Sequence, residues 1–246
     1  MSIDTATPRE MEAKFSFGAH DEATLMGLQT LGGLPLATHT TAVQIDVYCD
    51  TVDRALQFVG STFRVRRIGD EWRMTFKGRS ERQYIGDTIV KSRVEDEVVI
   101  PADVAAAVIA DPQVVLADVP SPLARAREAV GSDPLVMIAR IENRRTTLTF
   151  EDATSGDGLA VEVMVDRCSG TRGSDGRNVS FNELEAELQN GTIDTLTSVI
   201  DDLRAQVPSV APSGLSKLGR VMNDLQAIEA TEVSAPGDTQ QPSDTE

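Results

Sequence analysis

Along much of the chain apolar and polar residues alternate one for one, the period that sends neighbouring side chains to opposite faces of a β-strand. Met11, Ala13 and Phe15 oppose Glu10, Glu12 and Lys14. Phe63 and Val65 oppose Arg64 and Arg66, and Trp72, Met74 and Phe76 oppose Arg73, Thr75 and Lys77. The pattern returns at Arg93, Glu95 and Glu97, at Arg140, Glu142 and Arg144, and at Glu162 with Asp166. It ends with Glu183, Glu185 and Glu187 opposite Leu184, Ala186 and Leu188. Turn signals at Gly32-Gly33, Gly69-Asp70 and Gly156-Asp157-Gly158 separate such segments, and the second predicts a hairpin. Helices are expected over 21–30, 102–110, 121–130 and 192–206. The last places Ile193, Leu196, Val199, Ile200 and Leu203 on one face, the spacing of a helix lying on something flat. Residues 1–8 read as a disordered arm, 9–225 as one folded domain and 230–246 as a disordered acidic tail.

Taken singly, each charged face fits the solvated side of an ordinary antiparallel sheet. Taken together they carry long Glu and Arg side chains on strand after strand, and helices are at hand to cover the apolar face. Such a sheet can close on itself with its charges inside, which also removes its exposed edges. The expected fold class is therefore mainly β (α+β), a closed antiparallel barrel forming a charged tunnel with helices packed on its outside.

Composition narrows the setting. With 246 residues, 40% hydrophobic and 25% charged, the chain matches a soluble globular protein. No apolar run reaches the roughly 20 residues that span a bilayer, so no membrane partner is expected. The opening MSIDTATPRE lacks the pattern of a secretory signal, which points to the cytoplasm. Cys49 and Cys168 fit two reduced thiols there. A net charge of −16 argues against nucleic-acid binding, although an enclosed set of Lys and Arg can still hold a small polyanion. His20 and His39 have no serine or cysteine motif around them and fit surface or packing roles. Gly32-Gly33 lacks the Lys-Ser/Thr of a phosphate loop and fits a turn.

Enclosed carboxylates repel one another and take up protons unless cations sit among them. Mg²⁺ or Mn²⁺ prefers carboxylate oxygens, and Mg²⁺ keeps waters and substrate phosphates as its other ligands. Arg and Lys offer forks and point charges for phosphate oxygens. A tunnel holding both sets suits a metal-bound polyphosphate.

These residues resemble the CYTH domains, also called triphosphate tunnel metalloenzymes. The opening ExExK signature stands at Glu10-Met11-Glu12-Ala13-Lys14. It is followed in order by Tyr48 to Thr51, Arg64 with Arg66, Thr75 to Gly78, Arg93 to Glu97, and Arg140 to Arg145. Glu162 with Asp166, Glu183 to Leu188, and Ser216-Lys217 close the series. The resemblance implies an eight-stranded antiparallel tunnel acting as a divalent-metal-dependent hydrolase of inorganic triphosphate or another triphosphate compound. A class IV adenylate cyclase making cyclic AMP and pyrophosphate, or a polyphosphate- or nucleotide-binding module without catalysis, are the alternatives. Carried over residue by residue, Glu10, Glu12, Glu185 and Glu187 would hold Mg²⁺ or Mn²⁺, with Glu183 on the same face. Lys14, Arg64, Arg66, Lys77, Arg93, Arg140 and Lys217 would bind phosphate oxygens. Parity with Arg140 adds Arg144, while a bulge would select Arg145 instead. Glu95 and Glu97 would hold metal or orient the basic residues. Glu187 would take the proton of the attacking water, and Lys77 is placed with it in the catalytic set. The expected partner is a small-molecule triphosphate, and a homodimer is a candidate assembly.

Overall fold

Antiparallel pairing joins the alternating segments into one wall. The computed structural model describes residues 9–152, 158–172 and 177–234, with side chains to residue 226. Its strands are β1 (Arg9–Ser16), β2 (Thr30–Leu31), β3 (Leu34–Asp50), β4 (Thr62–Ile68), β5 (Glu71–Lys77) and β6 (Glu81–Ile85). They continue as β7 (Thr88–Ile100), β8 (Val136–Glu151), β9 (Ala160–Arg172), β10 (Asn178–Asn190) and β11 (Ala211–Pro212). The helices are α1 (Glu22–Met26), α2 (Ala55–Phe58), α3 (Ala102–Ala110), α4 (Ser121–Val130), α5 (Ile193–Gln206) and α6 (Lys217–Ser234).

Neighbouring strands run in the order β1-β10-β9-β8-β3-β4-β5-β7, and β7 pairs back onto β1, with Glu10 opposite Arg93 and Glu12 opposite Lys91. Eight strands thus form a closed barrel, as expected, with the short β2, β6 and β11 added outside the cycle. The Gly69-Asp70 turn joins β4 to β5, in the register Arg66 opposite Arg73 and Thr62 opposite Lys77.

Over two stretches of the barrel the apolar side of the strands faces outward under helices. Ala13, Phe15, Leu184 and Ala186 pack beneath Leu196, Val199, Ile200 and Leu203 of α5. That helix starts at a capping box between Thr192 and Thr195. Val47, Phe63, Val65 and Met74 pack beneath α2, α3 and α4 through Leu56, Ala105, Val108 and Leu123. Asp50 fastens α2 to the end of β3, its carboxylate accepting the backbone N–H groups of Thr51, Leu56 and Gln57 at 2.7–3.0 Å.

Two expectations about helices change. The segment 21–30 is helical only over Glu22–Met26, because Thr30 and Leu31 pair with Pro35 and Leu34 across the Gly32-Gly33 turn. At Gly32, φ is +59° and an added Cβ would lie 2.7–3.0 Å from Val199, so the turn presses directly on α5. Helix α6 was not anticipated, and it runs through residues 225 and 230, where the folded domain and the tail were divided. The arm 1–8, residues 235–246 of the tail and Gly156-Asp157 lie outside the described residues.

The position of α6 gives the barrel two different ends. Leu218, Val221, Met222 and Leu225 pack against Ala139 and Ile141 of β8, Cys168 of β9 and Phe181 of β10. Those strand positions share the inward parity of Arg145, Asp166 and Glu183. An added Cβ at Gly170 would lie 2.3 Å from Val221 Cγ2, so this glycine makes room for the helix against the inner wall. Helix α6 therefore closes one end, and the mouth near Ile68, Arg73 and Gln189 is the other.

Candidate active site: a charged tunnel

Inside the barrel is a cavity of about 430 Å³ whose lining includes Lys14, Arg64, Arg66, Lys77, Arg93 and Lys217 together with Glu10, Glu185 and Glu187. At its closed end three carboxylates meet three cations. Lys217, the first residue of α6, lies 2.8 Å from Asp166, 2.6 Å from Glu183 and 2.8 Å from Glu185. Arg145 holds Asp166 by two hydrogen bonds at 2.8 and 2.6 Å and reaches Glu185 at 2.5 Å. Lys14 contacts Glu185 directly and lies 3.3 Å from both Glu183 and Glu12.

Burial alone would raise the Glu185 carboxyl, yet Lys14, Lys217 and Arg145 hold it well below its usual range. Asp166 is lowered in the same way, with burial overcome by Arg145 and Lys217. Glu183 is raised, because burial and its neighbour Glu185 outweigh Lys14 and Lys217. Burial opposes the charge of Lys217, but Asp166, Glu183 and Glu185 keep its ammonium protonated well above the ordinary range.

Along the opposite wall the cations are anchored unequally. Arg66 is held bidentately by the buried Asp46 at 2.6 and 2.7 Å. Arg64 has looser ties to its neighbours, 3.9 Å to Asp46 and 3.4 Å to the Thr75 hydroxyl, with Tyr48 also beside it. Burial works against an ionised Asp46, but Arg66 and Arg64 lower it to about 2. Lys77 lies 2.7 Å from Glu10 and 3.2 Å from Glu95. Arg93 bridges Glu10 at 2.9 Å and Glu12 at 2.7 Å. At the open mouth Arg73 pairs with Glu97 at 2.8 Å, and Glu97 also accepts from Thr75 at 2.8 Å.

Glu187 differs from its neighbours. Among the described residues it makes no ion pair; its side chain accepts a hydrogen bond from Gln189 at 3.1 Å. Burial and the adjacent Glu10, Glu185 and Glu12 push its carboxyl up to about 7, with Lys77 only partly opposing them.

The structure brings together most of the residues singled out from sequence and separates two. Glu10, Lys14, Arg64, Arg66, Lys77, Arg93, Glu185, Glu187 and Lys217 line the cavity, with Glu95 and Glu97 on the same wall. Glu12 and Glu183 are buried behind that surface as partners of the lysines and Arg93. Arg140 and Arg144 are exposed on the outer face of β8, contrary to their expected place in the tunnel. The reason is register. Arg144 stands opposite the exposed Arg167, whereas Arg145 stands opposite the buried Asp166 and takes the inward position. The alternation Arg140-Glu142-Arg144 is thus a solvated outer face.

Sequence reasoning also passed over Asp46, Lys91 and the anchoring role of Asp166. Asp46 stands two positions before Tyr48, a spacing that gave a parity signal. Lys91 lies on the same strand face as Arg93, and its ammonium donates to the Gly214 carbonyl at 2.6 Å. Carboxylate oxygens of Asp166, Glu183 and Glu185 lie within 4.8 Å of one another, a cluster able to hold a metal ion. No helix among the described residues is long and apolar enough to cross a membrane.

Known proteins share this architecture. HpAC1 from Hippeastrum, described as an adenylyl cyclase candidate with a dominant triphosphatase activity, superposes with a TM-score of 0.61 at 17% identity, over 87% of this chain and 96% of that one. A protein from Bacillus halodurans named as an adenylate cyclase gives 0.55 at 14% identity, over 86% and 96%. At these identities the likeness is one of fold. No curated protein matches the sequence. The profile of the CYTH domain does match, over residues 8–221, and with the closed barrel and its charged interior this establishes that the chain belongs to the CYTH domain family.

Proposed function

We propose that the chain is a divalent-metal-dependent hydrolase of inorganic triphosphate or another triphosphate compound. The observation that carries this reading is a cation-lined tunnel, closed at one end by α6, in which the Glu187 carboxylate, crowded by Glu10 and Glu185, has no ion pair among the described residues. Basic side chains alone would make an anion binder; the crowded Glu10, Glu185 and Glu187 give such a binder no advantage.

The donor set fits a hard divalent ion. Asp166, Glu183 and Glu185 already have Lys14, Lys217 and Arg145 as counter-charges and Glu10 has Lys77 and Arg93, so the unmet negative charge lies at Glu187, beside Glu10. These carboxylates, with Glu185 beside them, would hold Mg²⁺ or Mn²⁺ through oxygen ligands alone. A divalent ion bound there polarises phosphate oxygens and lowers the pKa of a coordinated water.

The chain's own groups do the rest. Arg64 grips the phosphate chain, while Arg66 is kept in place by Asp46. Lys14, Arg145 and Lys217 surround the end that enters first, and Lys77 and Arg93 neutralise its flank. Closure by α6 limits the water around the reacting phosphorus, which strengthens each charge interaction. Glu187 would take the water's proton. Tyr48 is the one aromatic ring among the cavity-lining residues and is itself buried, so no open ring surface stacks a base. That favours triphosphate hydrolysis over the cyclase reaction. A cytoplasmic location and the absence of a nucleic-acid partner belong to the same reading.

Phosphate release from inorganic triphosphate and from ATP, each with Mg²⁺, Mn²⁺ or EDTA and with products separated by chromatography, tests the reading. Metal-dependent orthophosphate with triphosphate preferred supports it. Cyclic AMP with pyrophosphate replaces it by the cyclase, and no turnover of either substrate points to a binding module or to a different triphosphate as substrate.

A further inference from the structure

Below the Thr62–Lys77 pair, β4 and β5 separate. Among the described residues β6 continues along β7 with no strand on its other side, and residues 57–60 at the end of α2 stand across the gap. The slot between them has a volume of about 690 Å³ and is lined by Gln57, Phe58, Val59, Arg79, Ser80 and Arg82. We propose that this slot docks an extended acidic segment of a partner protein, which adds as a strand to the free edge of β6 and places its carboxylates on Arg79 and Arg82.

Three observations converge on that chemistry. A free strand edge offers unpaired backbone N–H and C=O groups, which an extended peptide satisfies along its whole length. Phe58 is 91% exposed and Val59 46%, an apolar surface beside the slot that suits an alternate side chain of such a strand. Arg79 and Arg82 meet no carboxylate among the described residues, in a chain where 39 acidic residues outnumber 23 basic ones. The floor is rigid, because Asp50 holds the Gln57 N–H at 3.0 Å and the Leu56 N–H at 2.8 Å. Charge selects the partner: most acidic surfaces are repelled by a chain of net charge −16, and this edge is where two unpaired guanidinium groups accept one.

The test is selection of a random heptapeptide display library on the full-length chain, followed by fluorescence anisotropy with the recovered peptides. The expected result is enrichment of sequences alternating Asp or Glu with aliphatic or aromatic residues. Their affinity falls about tenfold or more in Arg79→Glu/Arg82→Glu and in Phe58→Asp and weakens with salt. The β6 amides gain protection from hydrogen exchange when peptide is bound. These substitutions are on the surface, and unchanged thermal unfolding of the variants shows that they fold. Recovery of basic or uncharged peptides, equal binding by the variants, β6 amides unchanged on binding, or occupation of the slot by a second copy of the chain would each overturn the proposal.

Discussion

The Lys217 ammonium sits 2.6 Å from the buried Glu183 carboxylate, joining the first residue of the closing helix to the floor of the tunnel. One contact therefore ties the plug to the charge balance of the site. Replacing Lys217 by Met leaves Asp166, Glu183 and Glu185 with two cations in place of three. The expected loss is about 3–5 kcal/mol of folding stability, the cost of a buried charge left without its partner. Urea unfolding measures it, and a loss under about 1 kcal/mol, the range of an exposed pair, would place Lys217 outside the buried network.

Arg145 and Arg144 are neighbours in sequence with opposite surroundings. Arg145→Ala should weaken binding of inorganic triphosphate about tenfold or more, because a charge-assisted contact is lost inside the tunnel. Arg144→Ala and Arg140→Ala should leave it unchanged. Calorimetric titration of the three variants decides the matter, and equal losses in all three would mean that the outer arginines take part in binding.

The Glu187 carboxyl, raised to about 7 from its ordinary 4.5, binds protons that the unfolded chain has already released. Its contribution to folding stability therefore falls as pH rises through that window. A cation at Glu187 needs the ionised form, so Mn²⁺ affinity should increase about tenfold between pH 6 and pH 8. Glu187→Gln should bind Mn²⁺ more weakly and lose most of that slope. An equally steep pH dependence in the variant would assign it to another group.

Gly170 gives Val221 its place against the inner wall. Gly170→Ala puts a Cβ 2.3 Å from Val221 Cγ2, so α6 must shift. The expected cost is about 1–3 kcal/mol, as for overpacking elsewhere in a core. Faster hydrogen exchange in α6 should accompany it, with α5 unaffected. Full stability and unchanged exchange would show that α6 does not press on this strand.

Much of the barrel was legible because two independent signals agreed. Period-two alternation placed Glu10, Glu12 and Lys14 on one face of β1 and Ala13 and Phe15 on the other. The apolar stripe of α5 then supplied the cover for that second face. Alternation is a local property and identifies which residues share a face. It does not say whether that face is the tunnel or the solvent, and β8 is the case where the difference mattered. Arg140-Glu142-Arg144 has the charged parity of a tunnel strand, yet pairing with β9 turns Arg145 inward because Asp166 is there to receive it.

Helix α6 carried its own local signal, Leu218, Val221, Met222 and Leu225 at helical spacing, but its role depends on Gly170, about fifty positions earlier in the chain. The sequence by itself determined the strands, their apolar faces and most of the charged residues that meet, since each follows from the order of neighbouring side chains. Only the tertiary structure decided which end of the tunnel is closed, which arginine of β8 enters it and why Glu187 has no ion pair among the described residues. Those are consequences of register and of burial among distant residues, and an unpaired chain has neither.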